Sequence, residues 1–183
     1  MADKSGDEAY DEAICPYDCD KGVKYLVLDD ELRKLFGAKL KAGVSMTVIS
    51  DSCHSGSLTR AVVGEGPDNR RARFLNPKVI GLRELPDADA AKSRRVSAYS
   101  QADMKEVLLS GCSPREYSWD ATIGGKPHGA MSWYALKAIR DSGYDLTWDQ
   151  LGKQVRSQLE VAGFKQHPQL EGTPANKKKP IFT

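Results

Sequence analysis

No stretch of this 183-residue chain holds an apolar run of the length a bilayer demands, so nothing in it reads as a membrane-spanning helix. Its start, Met1-Ala2-Asp3-Lys4-Ser5-Gly6-Asp7, has no apolar centre and does not read as a secretory leader. Charge of one sign is also lacking. The net value is only +2, which leaves no electrostatic footprint for nucleic acid or a membrane surface. Cysteine is scarce, with four residues at 15, 19, 53 and 112. That spread excludes a disulfide framework and reads as reduced thiols in a cytoplasmic setting. Cys15 and Cys19 have no second Cys/His pair at ligand spacing, which speaks against zinc. There are only three histidines, and no internal repeat.

What is present centres on Asp51-Ser52-Cys53-His54-Ser55-Gly56. The residues before it, Val44-Ser45-Met46-Thr47-Val48-Ile49, are short, apolar and β-rich, and read as a buried strand of a parallel sheet. Open α/β sheets carry their chemistry at the C-terminal ends of such strands. Side chains alternate along an extended chain, so Asp51 and Cys53 share a side and set a carboxylate beside a thiol. The competing reading is a structural cysteine packed in the core. The polar flanks, Asp51, Ser52, His54 and Ser55, disfavour it.

In chain order, residues 1–24 read as an acidic loop, and Tyr25-Leu26-Val27-Leu28 as a short extended piece. A helix follows, N-capped by Asp29 or Asp30, with Leu32, Leu35, Phe36 and Leu40 at helical spacing and Gly43 ending it. Residues 58–104 carry Gly64, Gly66, Pro67, Pro77, Pro86 and two basic clusters, at 70–73 and 92–95, and read as a long loop. A buried strand is expected over 106–110 and a polar loop through Pro114, Trp119, Asp120 and Gly124-Gly125. A helix over 130–141 comes next. A second helix opens with the Thr147/Gln150 capping-box pattern and ends at Gly163. Residues 168–171 read as a last strand, and Lys177-Lys178-Lys179 as a solvated tail.

The run from Asp51 to Ser57 resembles the nucleophile motif of metacaspases and their bacterial caspase-like relatives, which are cysteine endopeptidases. Residues 11–18 and 29–32 are similar to the acidic stretches that precede that motif, and 108–112 and 167–172 to small-subunit strands. The resemblance implies the α/β, three-layer caspase-like (caspase–hemoglobinase) fold in one domain over 1–183. Within it, 1–57 would end the large-subunit part, 58–104 form a basic linker loop and 105–183 form the small-subunit part. It also implies proteolysis after Arg or Lys through a thioester on Cys53. Asp51 would line the pocket for the substrate's P1 side chain, where a carboxylate takes a guanidinium by a charge-assisted contact.

That chemistry requires no cofactor. Calcium binding by Asp11, Asp29 and Asp30 is implied from some metacaspases. Against it, Arg60 stands at the family's fourth aspartate, and helix capping accounts equally well for Asp29 and Asp30. The implied partners are protein or peptide substrates with a basic P1 residue, together with a missing N-terminal segment or another chain, and neither nucleic acid nor membrane. The family's catalytic base, a histidine in a His-Gly motif, is expected just ahead of Met1 along with the first three strands, so the fold is expected to be N-terminally truncated. His54 diverges from its neighbour Cys53, and His128 and His167 read as surface or packing residues. An inactive caspase-like fragment acting as a binding or regulatory module is the alternative function.

Overall fold

The computed structural model describes residues 13–21, 23–28, 31, 32, 34–36, 40, 41, 43–52, 70–75, 104–113 and 116–183. Near the start, β1 (Ala13–Ile14) pairs antiparallel with β2 (Val27–Leu28). Residues 31, 32 and 34–36 are helical. Gly43 takes φ 83° in the turn that follows, a conformation open to glycine without steric cost. The turn delivers β3 (Met46–Ser50).

β3 runs parallel to β5 (Glu106–Ser110), with Val48 opposite Leu108 and Ser50 opposite Ser110. β8 (Gln169–Glu171) lies antiparallel on the other side of β5. The order β3-β5-β8 makes β5 central. Val107 and Leu109 on one face of that strand and Glu106 and Ser110 on the other are all buried, as expected of a strand covered on both faces. β3 is at the end of this sheet among the described residues, and its Ile49 is exposed, so it is less buried than its composition suggests.

A second antiparallel sheet has the order β4-β6-β7. β4 is Arg71–Ala72, β6 is Trp119–Ile123 and β7 is Lys126–Gly129. Gly124 and Gly125, at φ 62° and 80°, form the two-residue turn between β6 and β7. Turns with positive φ at both central positions match the twist of a hairpin.

β7 runs straight into helix α1 (Ala130–Asp141), and α2 (Trp148–Val161) follows. Met131, Ala135, Ala138 and Ile139 of α1 meet Leu151, Val155 and Leu159 of α2 in one buried cluster with Val107 and Leu109. Truncating a side chain such as Leu159 to Ala costs about 2–5 kcal/mol. Thr147 accepts from Gln150 N–H at 3.3 Å, and the Gln150 side chain accepts from Thr147 N–H at 2.7 Å, so the expected capping box forms. No helix among the described residues is long and apolar enough to cross a membrane.

Further local expectations are corrected. The 1–24 stretch expected as a loop contains β1. The stretch through Trp119 and Gly124-Gly125 is the β6–β7 hairpin and not a loop. The long loop contains β4, which pairs with β6. Lys178 and Lys179 of the expected solvated tail are exposed, but the segment is held in place and is not a tail. Short helix α3 (Pro174–Lys177) ends there, the Lys179 carbonyl accepts from Trp148 N–H, and Ile181 N–H donates to the Leu146 carbonyl at 2.9 Å. Ile181 is buried beside α2, and that apolar anchor overrides the charge of the lysines.

Candidate active site

β3 ends at Ser50, and the next residue, Asp51, turns its carboxylate into the molecule. Its side chain is only 5% exposed. The Ser118 hydroxyl donates to Asp51 Oδ1, and the backbone N–H of Ser132 donates to Oδ2 at 2.9 Å. Ser132 lies in the first turn of α1. The N-cap of that helix, Gly129, provides no side-chain cap, and no acidic residue occupies the first turn. Asp51 therefore supplies from another strand the negative group that a helix N-terminus favours.

Two glycines make room for it. A β-carbon at Gly129 would collide with Asp51 Oδ2. One at Gly111 would lie 2.5 Å from Ser118 Oγ and 3.1 Å from Asp51 Oδ1.

Ser118 is itself held. Gln166, buried at 1% exposure, donates through Nε2 to the Gly111 carbonyl at 2.8 Å and to Ser118 Oγ at 3.1 Å. Its Oε1 accepts from Trp119 N–H at 3.3 Å. The chain of donors thus runs from the Gln166 amide to the Ser118 hydroxyl to the Asp51 carboxylate. Buried polar groups satisfied in this way fix one geometry.

Below this network, Glu116 Oε2 accepts from Ser113 N–H at 3.3 Å and from His167 N–H at 2.9 Å, while Oε1 meets His167 Nδ1. Burial pushes the Glu116 carboxyl upward. The hydrogen bonds from the His167 side chain, from Ser113 and from the two backbone N–H groups outweigh that and leave it below its ordinary 4.5. Cys112 Sγ lies 3.4 Å from the Glu116 carbonyl oxygen and 4.0 Å from that of Ser52, which ties this loop to the residue before Cys53.

The cation that reaches Asp51 belongs to the chain itself. Arg73 Nε donates to the Asp51 carbonyl and lies 4.0 Å from Oδ1, while Nη1 pairs with Asp120 Oδ1. The backbone holds the arginine there. Arg71 faces Asp120 and Ala72 faces Trp119, and Arg73 N–H donates to the Ser118 carbonyl at 2.9 Å. An extended segment thus lies antiparallel along β6 with a guanidinium between two carboxylates.

Of the residues singled out from sequence, Asp51 is described and sits at the centre of this network. Cys53, Asp11, Asp29 and Asp30 lie outside the described residues, as does His54. His128 stacks on Trp133, with ring centroids 4.5 Å apart, and His167 is paired with Glu116. Each has a packing or ion-pair partner. Sequence reasoning missed Arg73, Ser118, Asp120, Ser132 and Gln166 as parts of one site. Only Arg73 carried a signal, through its basic cluster.

A family model described as the caspase domain matches residues 2–179. The chain is 31% identical over 196 aligned residues to Metacaspase-1A of Aspergillus fumigatus, covering 92% of this chain and 46% of that protein. It is 30% identical to Metacaspase-1 of Emericella nidulans, covering 93% and 47%. It therefore spans about half the length of the curated relatives it matches. The crystal structure of protein GSU0716 from Geobacter sulfurreducens is similar at TM-score 0.63 and 26% identity, covering 94% of this chain and 62% of that one. The caspase-like α/β fold is thus shared, and the chain belongs to the caspase-domain family of cysteine peptidases.

Proposed function

We propose that this chain provides the nucleophile and the specificity pocket of an endopeptidase that cuts polypeptides after Arg or Lys. One observation carries the reading: the guanidinium of Arg73 is held by two carboxylates at the end of β3, Asp51 and Asp120, which supports a pocket there for a substrate's basic P1 side chain. The backbone N–H of Arg73 is on the Ser118 carbonyl. A carboxylate as buried as that of Asp51 is costly without a cation and hydrogen-bond donors. A substrate arginine that displaces Arg73 restores the same contacts, whereas an aspartate in that place sets like charges together.

In the reaction, the Cys53 thiolate adds to the carbonyl carbon that follows the P1 residue's Cα. The adduct collapses, the C–N bond breaks and the amine leaves with the proton that the thiol gave up, which gives a thioester. Water then cleaves the thioester, releasing the new carboxylate and regenerating the thiol. The Asp51–Ser118–Gln166 chain holds the carboxylate in one orientation, so a P1 side chain bound to it is anchored for attack. Pre-set geometry of this kind is the main contribution of positioning groups to rate.

Covalent labelling tests the reading. A peptidyl acyloxymethyl ketone ending in Arg is expected to alkylate Cys53, located by peptide mass spectrometry, and the matched reagent ending in Asp to leave it unmodified. Equal labelling by both would overturn the assignment of the pocket.

A further inference from the structure

Helix α2 ends without a basic residue in its last turn. Its C-terminus closes through Ala162 N–H to the Gln158 carbonyl at 3.0 Å, Gly163 N–H to Glu160 at 2.9 Å and Phe164 N–H to Leu159 at 2.9 Å, with Gly163 at φ 75°. This is the negative end of the helix dipole, where a cation is favoured. The cation present is Arg70. Its Nη1 donates to the Gly163 carbonyl at 2.8 Å, and its Cζ lies 4.0 Å from the centroid of the Phe164 ring. Tyr134 meets Phe164 edge-on, at 6.2 Å and 68°, and steadies the ring face that the guanidinium covers.

Arg70 stands three residues before Arg73 on the segment that pairs with β6. At about 3.4 Å per extended residue, three steps carry the chain roughly 10 Å upstream of the P1 position. The two arginines of one extended segment therefore occupy two separate cation-binding places, one made of carboxylates and one of a carbonyl, a helix end and an aromatic face.

We propose that Gly163 and Phe164 form a subsite for a basic side chain at the fourth residue N-terminal to the cleaved bond, P4, so that the preferred substrate carries Arg or Lys at both P4 and P1. The proposal rests on the reading of Asp51 and Asp120 as the P1 pocket. A cation on an aromatic face together with a charge-assisted hydrogen bond is worth about 3- to 30-fold in affinity at a partly exposed place.

Fluorescence anisotropy tests it on the full chain carrying Cys53→Ala to block cleavage, with Arg70→Ala and Arg73→Ala to empty both places. The labelled peptide amides are Arg-Arg-Ala-Arg, Ala-Arg-Ala-Arg and Arg-Arg-Ala-Ala. Replacing the first arginine is expected to weaken binding by about 3- to 30-fold. A Phe164→Leu variant, which keeps an apolar side chain in the core but removes the aromatic face, should reduce that difference and leave the effect of the last arginine intact. If the first two peptides bind equally while the third binds worse, Arg70 only tethers its own segment and the subsite is wrong, with the P1 pocket untouched. If the third binds as well as the first, or none binds, the P1 reading falls and the subsite falls with it. The peptide comparison alone decides the matter should Phe164→Leu fail to fold.

Discussion

Gly129 has φ −65° and ψ 126°, values that any residue adopts, so its backbone does not explain the absence of a side chain. Space does: a β-carbon there would collide with Asp51 Oδ2 and come within 2.9 Å of Arg73 Nη1. Gly129→Ala is therefore expected to push the carboxylate off Ser132 N–H. The cost should be about 1–3 kcal/mol in stability, the usual range for overpacking, together with loss of preference for basic peptides. Chemical denaturation and P1 profiling of the variant measure the two effects separately, and an unchanged profile would refute the assigned contact.

At this scale the sequence discloses Asp51 through its neighbours in the motif, but not its partners. Arg73, Ser118 and Ser132 stand 22, 67 and 81 positions away. Nothing in the residue types of a serine hydroxyl or a backbone N–H marks them as ligands of one carboxylate.

Among the elements, the loop that joins β5 to β6 has most to do with the site, because it carries Ser118 to Asp51. Glu116 staples that loop to the segment entering β8 through Ser113 N–H and His167 N–H. The folded-state value of Glu116 is depressed below 4.5, so its contribution to stability is complete above 4.5 and is lost as pH falls through the lower folded value. Glu116→Gln is expected to be less stable than the parent at neutral pH, with the gap narrowing only below pH 4.5. Urea midpoints across that range check this, and a gap independent of pH would contradict it.

Elements with strong apolar patterning were legible in the sequence. β3 and β5 read as short β-rich runs, α1 and α2 as helical stripes, and the capping box as a spaced pair. β4 was not legible, since Arg71-Ala72 has no pattern of its own and becomes a strand only because β6 offers a free edge to pair with. The β6–β7 hairpin was missed although Gly124-Gly125 is a hairpin signal and Trp119, Ala121 and Ile123 alternate with Asp120 and Thr122, because Lys126–Gly129, with its proline and glycine, carries no strand pattern to pair with them.

For the whole molecule, the site lies where two sheets meet. The β3-β5-β8 sheet carries Asp51 at the end of β3, and the β4-β6-β7 sheet brings Arg73 and Asp120 to it. Helix α1 continues directly from β7 and points its N-terminus at the same carboxylate.

The central claim is that this carboxylate selects a basic P1 residue for attack by Cys53. The most direct measurement is kcat/KM for fluorogenic peptides that differ only in ending with Arg, Lys or Asp, on the protein at its full natural length, with Cys53→Ala as the blank. The account predicts turnover of the Arg and Lys peptides well above that of the Asp peptide. It also predicts that Asp51→Asn, which keeps the acceptor oxygen but not the charge, lowers the Arg value by about 2 kcal/mol, roughly 30-fold, without lowering the Asp value. Cleavage after Asp as efficient as after Arg, or turnover that persists in Cys53→Ala, would contradict it.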